Sequence, residues 1–154
     1  MGEAPGTTGD RGAGQSDRRS LLAVDPGRDK CGIAVVDADG APLTQEVVPA
    51  QALAARAAEL ARRHDIGVIV IGDRTGADAA AAALGSVLPD VETAVVNEHR
   101  STEEARRLYF RENPPRGWRR LIPTTLQTPP RPYDDYVAVI LARRYMRAGG
   151  TEAR

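Results

Sequence analysis

Apolar positions along the chain fall in short runs divided by polar, proline- and glycine-rich breaks, and the spacing inside the runs changes from one to the next. LLAVD (21–25) is a brief apolar run stopped by Pro26-Gly27, and CGIAVVD (31–37) is a second. Ala38-Asp39-Gly40 supplies hairpin chemistry before an alternating stretch over 41–48 with LTQEVV at its centre. Three consecutive strands in an antiparallel meander are therefore expected. AQALAARAAELARRH (50–64) places alanine and leucine at helical spacing, with arginines near the C-terminal end where they suit the helix dipole. GVIVIG (67–72) is continuously apolar and bounded by glycine, the pattern of a strand buried on both faces. The alanine-rich stretch from Ala77 to Leu88 predicts a second helix, and TAVVN (93–97) another buried strand. Ser101 reads as an N-cap, with Glu103 and Glu104 in the first turn of a helix to about Arg111. The proline-rich segment 113–132 predicts a long loop, and one of that length in a compact domain is usually functional or mobile. A last helix is expected from near Asp134 to Met146, ended by Gly149-Gly150.

The order β-β-β-α-β-α-β-α-loop-α implies an α/β fold with a mixed sheet, helices on both faces, and the first strand parallel to the later ones. A length of 154 residues suits one domain with a real core, expected here over 20–147. Residues 1–19 have almost no apolar content to offset their ordering entropy and are expected to be a disordered tail, with a short flexible tail over 148–154.

The formal net charge of zero argues against a nucleic-acid partner until its distribution is read. Residues 1–99 hold 9 basic and 15 acidic side chains, whereas residues 100–147 hold 11 arginines and 5 acids. A locally basic face attracts a polyanion whatever the total, although a solvated helix surface has the same composition. The single cysteine, Cys31, excludes an internal disulfide or a zinc knuckle. No apolar run approaches the ~20 residues that span a bilayer, and no secretory leader opens the chain, so a cytoplasmic location without membrane contact is expected.

Three acidic positions fall at element ends. Asp25 closes the first strand, Glu98 follows the strand 93–97, and Asp134 and Asp135 open the final helix. Ends of parallel strands share one sheet edge, where α/β sites form, and the long loop can return the last helix there. Taken singly, Asp25 is also a turn-former, Glu98 a loop acid, and Asp134 or Asp135 a helix cap. Converging, they would repel and lose solvation unless a cation joined them. Oxygen donors favour Mg²⁺ or Mn²⁺, and two such ions can assist both sides of a phosphodiester cleavage.

In order and spacing, DPGRDKCGIAVVD, NEHRSTEEA and DDYVAVILARRY resemble the YqgF/RuvX family, of the RuvC-like branch of the RNase H-like fold. The resemblance runs from about Leu21 to Met146. It implies a five-stranded mixed sheet with helices on both faces. It also implies a metal-dependent nuclease, related to Holliday-junction resolvases and associated in bacteria with trimming the 5′ end of 16S rRNA precursors. Asp25 takes the first catalytic and metal-binding carboxylate and Glu98 the second, with Ser101 and Thr102 filling the Ser/Thr pair after it. The third opens the last helix. Asp135 fits an Asp-x-x-Ala spacing to Ala138 and Asp134 an Asp-x-x-x-Ala spacing, and Asp135 is preferred. On a helix the two point about 100° apart, so one of them faces the metal. Where many members carry Gly-x-Pro after the central strand, this chain has IGDRTGA (71–77), which adds Asp73 as an extra acid.

Around these acids, Gly27 and Gly32 would admit a nucleic-acid strand where side chains would block it. Arg28 and Lys30, the chain's one lysine, lie in the turn beside Asp25 and could bind phosphate oxygens. Thr75 and the backbone of the Gly72–Gly76 turn are a further phosphate candidate, with a plain turn as the other reading. Arg100, Arg106 and Arg107 flank the second motif, and Arg116, Arg119, Arg120 and Arg131 accompany Trp118 on the long loop. Trp118 could stack on a base or pack the loop onto the body. Apolar residues around Tyr109-Phe110 are a candidate dimer patch. The leading expectation is a divalent-metal nuclease acting on RNA or branched DNA. A small phosphotransferase would need a second lobe of this kind, and a catalytically inactive nucleic-acid-binding protein would not need all the acids.

Overall fold

Side chains of β1 (Ser20–Asp25) alternate between two faces, Leu21 and Ala23 on one and Leu22 and Val24 on the other, and all four are buried. A strand of this kind has to lie at the centre of a sheet covered on both sides. The computed structural model, which describes residues 19–150, places it there. Residues 1–18 and 151–154 of the two expected tails lie outside the described residues.

β2 (Lys30–Val36) and β3 (Pro42–Pro49) complete the antiparallel meander, and β4 (Ile66–Gly72) and β5 (Glu92–Val96) run parallel to β1. The five strands are ordered β3-β2-β1-β4-β5. The β2–β3 turn forms as expected: Asp37 Oδ1 accepts the backbone N–H groups of Asp39 and Ala41, each at 2.9 Å, and Gly40 takes φ +86°. Crossovers from β3 to β4 and from β4 to β5 carry α1 (Leu53–Arg63) and α2 (Ala77–Val87), whose Leu53, Leu60 and Leu84 fill the core under one face. The other face is covered by α3 (Ser101–Glu112) and α4 (Asp134–Arg147). Every residue from Asp135 to Ala142 is buried, because this part of α4 is sandwiched between the sheet and α3.

Three local expectations are corrected. Residues Ala50–Ala52, placed inside the first helix by their spacing, form a 3-10 turn directly after Pro49. Ser101 is the first helical residue rather than the N-cap, which is Arg100 in a left-handed conformation at φ 61°. The long loop contains 3-10 turns at Gly117–Leu121 and Thr124–Leu126. It is anchored by buried Gln127, whose Nε2 donates to the carbonyls of Arg119 and Ile122, each at 2.8 Å. The candidate dimer patch is likewise corrected at Tyr109. Its ring is in the core, edge-on to Phe110 and to Tyr136 with centroids 5.4 Å apart in each pair. Among the described residues no helix is long and apolar enough to cross a membrane.

Candidate functional site

Because β1, β4 and β5 are parallel, their C-terminal ends share one edge of the sheet, and the acidic positions assemble there. Glu98 is held from both sides through its backbone. Asp73 Oδ1 accepts its N–H at 3.0 Å, and its carbonyl accepts the Ser101 hydroxyl at 2.6 Å and the Ser101 N–H at 2.8 Å. The side chain then turns into the space above Gly72, where any Cβ would overlap its carboxylate. Asp25 pairs in register with Gly32, and a Cβ on Gly32 would overlap the backbone carbonyl of Asp134. The absent side chain thus lets the first turn of α4 rest directly on β2 and brings Asp134 to Asp25.

The two acids of α4 lie in different surroundings. Asp134 lines the cleft with Asp25, and its charge acts on that carboxyl. Asp135, the acid preferred from its spacing, turns away: it is buried, its Oδ2 accepts Gln45 Nε2 at 3.2 Å, and Arg131 Nη2 stands 3.8 Å off. The structure therefore brings Asp25 and Asp134 to the cleft, keeps Glu98 buried beside Asp25, and leaves Asp135 in the seam between α4 and β3.

Asp25 and Glu98 are 8% and 1% exposed, and both have displaced ionisation. Burial, followed by the charges of Glu98 and Asp134, pushes the Asp25 carboxyl up to about 8. Burial also raises Glu98, against the opposing charge of Arg74. Arg74 Nε lies 2.7 Å from Glu98 Oε2, an ionic contact outside hydrogen-bonding alignment, and neither Glu98 oxygen has a hydrogen-bond partner. Arg74 Nη2 donates to Thr102 Oγ1 at 3.2 Å. Lys30 Nζ stands 3.3 Å from Asp134 Oδ2. Each outer acid thus has a side-chain cation beside it, and the neutral form of the central Asp25 is favoured by its burial and by its acidic neighbours. Among the described residues, no three acidic, histidine or cysteine side chains are gathered as a finished cation cage.

The cleft has two lobes meeting at Asp25, Lys30, Arg74 and Asp134. One, of about 410 Å³, runs past Thr102 to the wall formed by Thr128–Tyr133, and the other, of about 500 Å³, follows Pro26–Lys30. Arg28 is exposed along the second lobe. Thr75 is exposed at the β4–α2 turn, where it lines an apolar hollow of about 290 Å³ with Gly27 and Arg28.

Other candidates lie elsewhere. Ser101 is fully buried and its hydroxyl is committed to the Glu98 carbonyl, so it positions Glu98 and does not reach the cleft. Gly27 and Gly32 make room for the chain's own backbone, at the Lys30 carbonyl and at α4. Arg106 fastens the loop through the Thr125 carbonyl at 3.4 Å, and Arg107 pairs with Glu103 at 2.6 Å. Arg131 sits 5.7 Å over the rings of both Tyr109 and Tyr136, packing the loop onto the body. Arg100, Arg116, Arg119 and Arg120 are exposed, as is Trp118 at 71%. Sequence reasoning missed Arg74. Its only local signal was a basic residue beside Asp73, in the segment that departs from the resembled pattern.

This architecture is the RNase H-like fold of RuvC. A structure of Thermus thermophilus RuvC in complex with Holliday junction substrate matches with a TM-score of 0.61 and 18% sequence identity, covering 87% of this chain and 98% of that one. A second Thermus thermophilus RuvC structure matches with a TM-score of 0.57 and 16% identity, over 86% of this chain and 98% of that one. At such identities the likeness establishes the fold. No family model matches the sequence, and no curated relative does.

Proposed function

We propose that this chain is a divalent-metal-dependent nuclease that hydrolyses phosphodiester bonds in nucleic acid, with 5′ maturation of pre-16S rRNA as the leading assignment. The observation that carries the reading is the approach of Asp25 to both Glu98 and Asp134 at one sheet edge, with both Glu98 oxygens buried. Buried charge of this kind calls for a cation. All the donors are carboxylate oxygens, with Asp25 and Asp134 lining the cleft and Glu98 buried beside it. This fits Mg²⁺ or Mn²⁺, and a pair of such ions would be held by these three residues. When bound, the metal would stabilise charge developing on the scissile phosphate. Lys30, Arg74 and Thr102 line the same cleft and supply donors for phosphate oxygens, while Gly72, Asp73 and Ser101 fix the position of Glu98.

The motif resemblance supports rRNA trimming. The fold shared with RuvC supports a second reading, resolution of branched DNA, which needs two sites acting symmetrically and hence a homodimer. An inactive nucleic-acid-binding protein is the remote alternative. A cleavage panel of precursor rRNA fragments, four-way junction DNA and single-stranded DNA with Mg²⁺ and Mn²⁺ separates them. The reading requires metal-dependent cleavage that Asp25→Asn abolishes with the fold intact, and unchanged turnover in that variant would end it. Preference for junctions together with a dimeric mass selects the resolvase, and tight binding without cutting selects the inactive form.

A further inference from the structure

The contacts of Arg74 are those of a cation seated among acids. It emerges from the turn between β4 and α2, places Nε 2.7 Å from Glu98 Oε2, is steadied by Thr102, and faces the lobe shared by Asp25 and Asp134. Its partner is 1% exposed, whereas Arg74 itself is 55% exposed, so the guanidinium can move into solvent while the carboxylate cannot. Lys30 and Asp134 differ from this pair: both are open to water, 3.3 Å apart, and their attraction is weak there.

We propose that Arg74 is the resident counter-cation of Glu98, and that a divalent ion binds only as Arg74 releases that carboxylate. This inference rests on the metal-binding reading above and adds an exchange to it. A metal ion and the guanidinium compete for Glu98 Oε2, because the carboxylate is clamped through its backbone and confined over Gly72 and cannot turn away from Arg74. Metal affinity is therefore reduced by the free energy of the Arg74–Glu98 pair. Release leaves the guanidinium on the cleft wall.

Two measurements on the full chain test the exchange. In the wild-type protein, Mg²⁺ should move the ¹⁵Nε–H resonance of Arg74 to the position of a solvated guanidinium; the signal is assigned by its loss in Arg74→Gln. By titration calorimetry, Arg74→Gln should bind Mn²⁺ about tenfold more tightly, a difference of about 1.4 kcal/mol. Lys30→Gln removes the same charge from the weaker pair and should change affinity less. Mn²⁺ binding that depends on Asp25 while the Arg74 resonance stays fixed and Arg74→Gln binds no more tightly would overturn the exchange and leave the metal reading standing. Absence of any Asp25-dependent Mn²⁺ binding would overturn both.

Discussion

Gly72 holds no functional group, yet the position of Glu98 depends on it, since a methyl there would occupy the space of the carboxylate. Gly72→Ala should leave the far-ultraviolet circular dichroism unchanged and reduce both Mn²⁺ affinity and metal-dependent cleavage at least as much as a conservative change at Glu98. Retained cleavage would mean that Glu98 is not needed where the structure places it. At Asp25 the prediction concerns pH. In the metal-free protein its carboxyl is raised from 3.8 to about 8, so between those values the folded form binds more protons than the unfolded chain. That contribution to stability is present in full below about pH 4 and lost as the pH rises through about 8. The melting temperature of EDTA-treated protein should therefore fall across this window, and saturating Mn²⁺ should flatten the fall. A profile of equal slope with and without Mn²⁺ would exclude metal binding at Asp25.

Among the elements, α4 does the most to build the site, because its first turn rests on Gly32 while its body closes one core. Gly32→Ala forces a methyl into the backbone of Asp134 and should lower unfolding free energy by about 1–3 kcal/mol, read by urea denaturation, as overpacking of a close contact does. Asp134→Asn should remove cleavage, whereas Asp135→Asn should retain it and alter stability; the reverse result would put Asp135 in the cleft. The apolar runs LLAVD, CGIAVVD and GVIVIG were sufficient to locate three strands along the chain, because burial on two faces leaves a direct mark in sequence. The choice between Asp134 and Asp135 left no such mark. It is set by the rotation of α4 about its axis, which the seat on Gly32 and the Gln45 contact impose across the sheet. The role of Arg74 was hidden for the same reason, since its partner lies on a different strand end. Tyr109 looked like surface because Arg106, Arg107 and Arg111 lie close along α3, while Tyr136 and Arg131, far along the chain, are what cover it.

Over the whole molecule, large apolar side chains stay exposed chiefly on the loop between α3 and α4, at Trp118, Leu121 and Leu126, with Arg116, Arg119 and Arg120 beside them. Trp118 contributes little to packing, so Trp118→Ala should leave the melting temperature within about a degree. If its ring stacks on a base, worth ~1–3 kcal/mol, the change should weaken nucleic-acid affinity by about 5- to 150-fold. Equal affinity in fluorescence-anisotropy titrations would assign this crest to some other partner. The placement of Asp134 has one more outcome, which concerns when the protein can act. Asp25 and Glu98 both precede α4 in the chain, and until that helix docks, the β1–β2 edge has neither Asp134 nor a closed core above it. For the nuclease proposed above, competence would therefore arrive only with the docking of the last helix.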